Sequence, residues 1–222
     1  MEKEELRELA GRDPEAAFRE ALNAIHSEDR NMRVFALRVI GREGLPGGSA
    51  AVLTGLSDQK RRVRKVACQA SRTYLDDPAV VHRLMELIEQ GDPVSGDALL
   101  ALGRRYFAVE FEQDRIKQAS AGPTPRPALD ALASLSAHER YRKAILQSLV
   151  MMDLTDDVAA LLRTFVETGT KDEAVAATRA LCGYRLVTWE NVTPPELAGA
   201  GAQPGGRAHM YWIRRDAAGP SW

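Results

Sequence analysis

At 222 residues, 45% hydrophobic and 27% charged, the chain has the balance of a folded globular protein rather than a disordered or fibrous one. Its formal net charge of −1 at pH 7 excludes a global attraction to nucleic acid or anionic membrane, so only local charge can act. No apolar run approaches the roughly 18 residues of a membrane-spanning helix. The start, Met1-Glu2-Lys3-Glu4-Glu5, lacks the basic end and apolar stretch of a secretory signal, and a cytoplasmic protein is expected. The two cysteines, Cys68 and Cys182, both fall inside apolar helical patterns and are expected as buried free thiols.

In chain order, Asp13-Pro14 supplies an N-cap and a first-turn proline to a helix whose Phe18, Ala21, Leu22 and Ile25 share one face. A second helix is expected from Asp29 to Glu43, packing through Val34, Leu37, Ile40 and Gly41, and ending in the turn Gly44-Leu45-Pro46-Gly47-Gly48. Two further pairs follow, Ser49–Leu56 with Gln59–Tyr74 and Pro78–Gln90 with Pro93–Tyr106. In the last pair Val80, Val81, Leu84, Leu87 and Ile88 recur with helical period, and Gly91-Asp92-Pro93 marks the turn.

Met32-Arg33-x-x-Ala36, Val63-Arg64-x-x-Ala67 and Val94-x-x-x-Ala98 line up at a spacing of 31 residues. Self-similarity at such a period marks a stacked supersecondary unit. With an aspartate at each turn (Asp29, Asp58, Asp92) and the endings Ile40-Gly41 and Leu102-Gly103, residues 14 to 106 resemble HEAT repeats, in particular the short bacterial variety named after phycobilisome lyases. The resemblance implies an all-α fold, an α-solenoid of about five two-helix repeats. It also implies that Asp29, Arg33, Asp58 and Arg64 tie neighbouring repeats together. The third copy has Ser95 at the arginine position and departs from that pattern.

After Phe107 the period breaks. A helix to about Ser120 runs into Ala121-Gly122-Pro123-Thr124-Pro125-Arg126-Pro127, which cannot continue it, so an insertion loop is expected near residues 120–127. Helices resume at Ala128–Leu135, His138–Met152, Thr155–Glu167 and Lys171–Gly183, read as two degenerate repeats that complete a helical domain over residues 1–183. Residues 184–222 differ in kind. Tyr184–Trp189 and His209–Arg215 are β-prone around a Pro/Gly/Ala-rich connection, and either pair as strands or form a loose tail; the apolar area of Tyr211, Trp212 and Ile213 favours a segment docked on the last repeat or on a partner.

Candidate chemistry is concentrated in the helix from Gln59 to Tyr74, which carries Lys60, Arg61, Arg62, Arg64, Lys65 and Arg72 with no acid before Asp76. On a helical wheel Val63, Val66, Ala67, Ala70 and Tyr74 cluster within about 80°, and Arg61, Lys65 and Arg72 lie opposite. The second helices of a HEAT stack line its concave side, which extends the stripe through Arg38 and Arg42 before it and Arg104 and Arg105 after it. Such a stripe fits an acidic protein surface, a nucleic acid or other polyanion, or a merely solvated face. The leading expectation is a non-enzymatic binding or scaffolding protein that engages a protein partner.

The alternative is a nucleic-acid-binding protein of the alkylpurine DNA glycosylase type, whose helical repeats, size and basic groove this chain also resembles. That family places a carboxylate and tryptophans in the groove, whereas Trp189, Trp212 and Trp222 here all lie in the C-terminal region. Deoxyhypusine hydroxylases, similar in repeat type, bind two irons through several His-Glu pairs. Here His138-Glu139 is one such pair, with His82 and Glu86 a second candidate at i,i+4, and a di-iron site needs more converging ligands. No catalytic residue, metal or cofactor is expected.

Overall fold

A computed structural model describes residues 3–103, 124–150, 152, 154–188, 203–204 and 210–214. The chain divides into two compact units, Met1–Leu132 and Ala133–Trp222. The described residues are all-α apart from three short strands near the C-terminus.

The first unit opens with α1 (Lys3–Arg12), α2 (Pro14–Ala24) and α3 (Arg30–Glu43). Helix α1 was not anticipated, because Leu6 and Ala10, the residues it buries, stand among six charged neighbours. Asp13 caps α2 by accepting the Ala16 N–H at 3.0 Å, with Pro14 at the first helical position. Asp29 caps α3 in the same way through Asn31. Gly44 ends α3 in the left-handed region, φ 63°, and returns its N–H to the Ile40 carbonyl.

Next come α4 (Gly48–Leu56), α5 (Arg61–Ala70), α6 (Pro78–Glu89) and α7 (Ser95–Gly103). The expected continuation of α5 to Tyr74 is replaced by a tighter 3-10 turn, Ser71–Tyr74. That turn carries the Tyr74 hydroxyl to the Ile40 carbonyl at 3.0 Å and the Leu45 carbonyl at 3.2 Å, two acceptors at the end of α3. Helix α2 packs on α3, α4 on α5 and α6 on α7, while α3, α5 and α7 pack in succession and α4 touches α6.

The core between these helices holds every residue assigned to the α3 packing face and all five periodic residues of α6. Gly41 lets α3 approach α5: a Cβ there would stand 2.7 Å from the Ala70 Cα. The Ile40-Gly41 ending is therefore a packing requirement.

Helix α8 (Arg126–Ser136) begins before Pro127, which was expected in the insertion loop. A proline in the first turn lacks only an N–H that has no intrahelical acceptor, so the helix tolerates it. Thr124 and Pro125 precede the helix without regular structure, while residues 120–123 of the loop, and the helix expected between Phe107 and Ser120, lie outside the described residues.

The second unit continues with α9 (Glu139–Leu149), α10 (Asp156–Thr168) and α11 (Lys171–Leu181). Thr155 caps α10, and Thr170 with Glu173 forms a reciprocal capping box at the start of α11. Helix α10 packs on α11, and both touch α9. Strand β1 (Tyr184–Thr188) follows α11 directly and packs against it. It pairs antiparallel with β3 (Met210–Arg214), Leu186 opposite Trp212, and β2 (Gln203–Pro204) adds to the other edge of β3.

Cys68 is buried in α5, but Cys182, expected to be buried, is exposed at the C-cap of α11.

Candidate binding surface

The arginines of the first unit divide into those the fold consumes and those it leaves outward. Arg33 on α3 grips Asp58 with two bonds, Nε to Oδ2 at 2.7 Å and Nη2 to Oδ1 at 3.3 Å. Its third nitrogen donates to the carbonyls of Ser27 and Glu28 at 2.8 and 3.0 Å. Arg64 on α5 repeats the arrangement 31 residues later. Its Nη2 lies 3.1 Å from Asp92, and its Nη1 donates to the Asp58 and Gln59 carbonyls at 2.9 and 3.2 Å.

Each acid also holds a turn, Asp58 accepting the Lys60 N–H at 2.7 Å and Asp92 that of Val94 at 2.9 Å. Burial alone would raise the Asp58 carboxyl. The Arg33 hydrogen bonds, the Lys60 N–H and the positive field of Arg33 and Arg64 outweigh it and hold the group below its ordinary value.

This geometry corrects the turn register read from the sequence. The counterpart of Asp58 in the first copy is Ser27, not Asp29. Ser27 lies six residues before its arginine, gives that arginine its carbonyl, and accepts the Asp29 N–H through Oγ at 3.2 Å. Asp29 sits two residues later as the cap of α3. By the same register the position after Asp92 that matches Arg64 is Ala98, not Ser95.

The second unit holds a further copy that sequence reasoning missed. Arg142 on α9 donates to the carbonyl of Ser136, again six residues back, at 3.3 Å, and reaches Glu173 and the Thr168 hydroxyl at 3.4 Å. Its guanidinium also stacks 4.7 Å from the Phe165 ring. The arginine six residues after a turn serine was the available signal, obscured because Tyr141 stands where the other copies have Met32 or Val63.

Against these committed groups stands the outer face of α5. Lys60, Arg61 and Arg62 are exposed, and no ion pair or side-chain hydrogen bond engages them among the described residues. Lys65 lies 3.7 Å from Asp97 yet keeps 53% of its side chain exposed. No acid occupies the first turn of α5, so Lys60, Arg61 and Arg62 crowd the positive end of its helix dipole. Each such charge costs a helix roughly 0.3–1 kcal/mol, so local helix stability does not explain them.

The other expected members of the stripe are placed differently. Arg72 lies in the 3-10 turn and is half-buried. Arg38 and Arg42 face α1, where with Arg7, Ala10, Gly11, Phe35 and Val39 they line a cleft of about 190 Å³. Arg104 and Arg105 lie outside the described residues.

Among the described residues no three His, Cys, Asp or Glu side chains converge to hold a metal. His138 occupies the N-cap position of α9 without a side-chain capping bond and sets its ring edge-on to Tyr141, and His82 pairs with Glu86 at 3.4 Å on the α6 surface. Burial pushes the Cys68 thiol up to about 12, helped by the Asp97 and Asp92 carboxylates. At neutral pH it has no thiolate to offer as a nucleophile.

No described helix is long and apolar enough to cross a membrane. Compared with the models of known protein families and with curated proteins, the chain matches none.

Proposed function

We propose that this protein is a non-enzymatic binding or scaffolding module built as a HEAT-type α-solenoid, and that it engages an acidic protein surface through α5. The observation that carries the reading is the contrast within one helix: Arg64 is locked onto Asp92, whereas Lys60, Arg61 and Arg62 at the helix's positive end, and Lys65 one turn on, stay outward. A carboxylate-bearing partner would relieve that charge crowding. The solenoid reading rests on the pairwise packing of α2 with α3, α4 with α5 and α6 with α7, together with the 31-residue recurrence of the arginine tie. An exposed face of this kind gathers affinity from several modest contacts without a catalytic pocket.

The test is fluorescence anisotropy of a labelled Glu/Asp-rich peptide with the wild type and with the double reversal Arg61→Glu/Lys65→Glu. Saturable, salt-sensitive binding is expected of the wild type and not of the reversal. Duplex DNA run alongside addresses the nucleic-acid alternative, which its tighter binding would favour.

A further inference from the structure

We infer that α9 of the second unit carries a second, weaker copy of the α5 contact face, and that it takes an acidic protein segment with carboxylates about one helical turn apart. The ligand class rests on the α5 reading above; the α9 site has its own evidence. The arginine ties set the register. Arg64 on α5 and Arg142 on α9 each take a carbonyl six residues back and a carboxylate ahead, Asp92 and Glu173. In that register α5 reads Arg62-Val63-Arg64-Lys65-Val66-Ala67-Cys68-Gln69 and α9 reads Arg140-Tyr141-Arg142-Lys143-Ala144-Ile145-Leu146-Gln147, which match as Arg-x-Arg-Lys-x-x-x-Gln.

The tie requires only its arginine. Helix α3 makes the same tie through Arg33 and has Asn31, Val34 and Arg38 at the three other matching places. Arg62, Lys65 and Gln69 follow one another at three and four residues, so they form one row along α5, and Arg140, Lys143 and Gln147 form its counterpart on α9. Both arginines and both lysines are exposed, and the two glutamines are half-buried. Among the described residues no hydrogen bond or ion pair engages the side chains of Arg62, Arg140, Lys143 or either glutamine. Arg140 rests 4.4 Å from the centroid of the Tyr141 ring, a stack that holds the guanidinium and leaves its N–H edges for a carboxylate.

The row sets the ligand geometry. From arginine to glutamine it spans roughly 10 Å at about 1.5 Å per residue. Two carboxylates one turn apart meet Arg140 and Lys143 together, and the Gln147 amide can donate to a third oxygen or accept from a backbone N–H. His138 and Glu139 stand where α5 has Lys60 and Arg61, so the α9 row lacks two of the α5 cations and has an acid beside it. Its affinity is expected to be at least tenfold below that of α5, outside the range in which anisotropy follows α5.

The experiment is a ¹H–¹⁵N NMR titration of the full chain with the unlabelled Glu/Asp-rich peptide, to about 5 mM and at about 50 and 200 mM salt. It is run on the wild type, Arg61→Glu/Lys65→Glu, Arg140→Glu/Lys143→Glu and the milder Arg140→Gln/Lys143→Gln. As a control, Arg163→Glu/Lys171→Glu makes the same charge change at exposed positions of the second unit outside the row. Duplex DNA is titrated in parallel, and thermal melting establishes that each variant is folded.

Two sets of saturable shifts are expected, tighter in α5 and weaker in α9, both weakened by salt. The α9 set should weaken at least tenfold in Arg140→Glu/Lys143→Glu and severalfold in the glutamine form, and persist in the α5 reversal and in the control. Shifts in α5 with none in α9 overturn the inference and leave the α5 reading standing; shifts in α9 alone sustain the α9 site and overturn the α5 reading; shifts in neither overturn both. The inference also falls if both folded α9 variants bind as the wild type does, if the control weakens the α9 set as much as the reversal does, or if α9 takes duplex DNA more tightly than the peptide.

Discussion

Arg33 and Asp58 are 25 residues apart in sequence and 2.7 Å apart in space, with side chains only 15% and 12% exposed. The same arginine holds two carbonyls of its own turn, so one guanidinium fixes a local bend and fastens it to the turn before α5. Arg33→Ala would leave Asp58 and two carbonyls short of their donor. Loss of about 2–3 kcal/mol is expected, the range for charged hydrogen bonds in a partly buried pair. Arg33→Lys should recover only part of it, since an ammonium cannot reproduce the fork. Urea unfolding of both variants, with Asp58→Ala to complete a double-mutant cycle, measures the coupling.

The same pair gives a pH signature. The Asp58 carboxyl is held below its ordinary value in the folded state, so the unfolded chain takes up its proton first as pH falls. The stabilisation is fully present above the unfolded value, about 3.9, and is lost as pH drops through the lower folded value. The stability difference between the wild type and Asp58→Asn should therefore be constant from pH 7 to about 5 and shrink below about 4. A difference that grew on acidification would contradict this sign.

Gly41 and Ala70 define how closely α3 and α5 approach. A Cβ on Gly41 would fall 2.7 Å from the Ala70 Cα and 2.8 Å from its Cβ. Although alanine is the better helix former, Gly41→Ala should destabilise by about 1–3 kcal/mol through overpacking. Gly11→Ala, in open space, should stabilise by about 0.5–1 kcal/mol. Thermal denaturation of the two variants, expected to shift in opposite directions, checks the contrast.

The two thiols should separate cleanly. Cys182 is exposed, while Cys68 is buried and its thiol pushed up to about 12. At pH 8 a thiol reagent should label one cysteine promptly in the native protein and the second only on unfolding. Peptide mapping should find the first label on Cys182.

The elements most legible in the sequence were those with punctuation. Asp13-Pro14, Gly44 and Pro78 mark ends of α2, α3 and α6 because each residue suits a backbone group or a backbone angle that a helix end creates. Helix α1 carries no such start signal within a charge-rich segment, and its burial depends on α2 and α3. The turn register was misread because matching aspartates by letter joined Asp29 to Asp58, whereas the backbone needs only an acceptor, which Ser27 supplies.

The α5 cations were visible as a run without acids. The diversion of Arg38 and Arg42 to a cleft was not, since it requires α1 to lie against α3. Nor was the Arg142 tie, whose partner Glu173 belongs to a capping box rather than to a turn aspartate.

The proposal that the outward cations of α5 receive an acidic partner is tested most directly by anisotropy of the labelled acidic peptide and of duplex DNA, from about 50 to 200 mM salt. The account predicts that the wild type binds the peptide, more weakly as salt rises, and more tightly than it binds DNA. It also predicts that a folded Arg61→Glu/Lys65→Glu variant loses the peptide. Peptide binding unchanged by the reversal, or absent at the lowest salt, would contradict it.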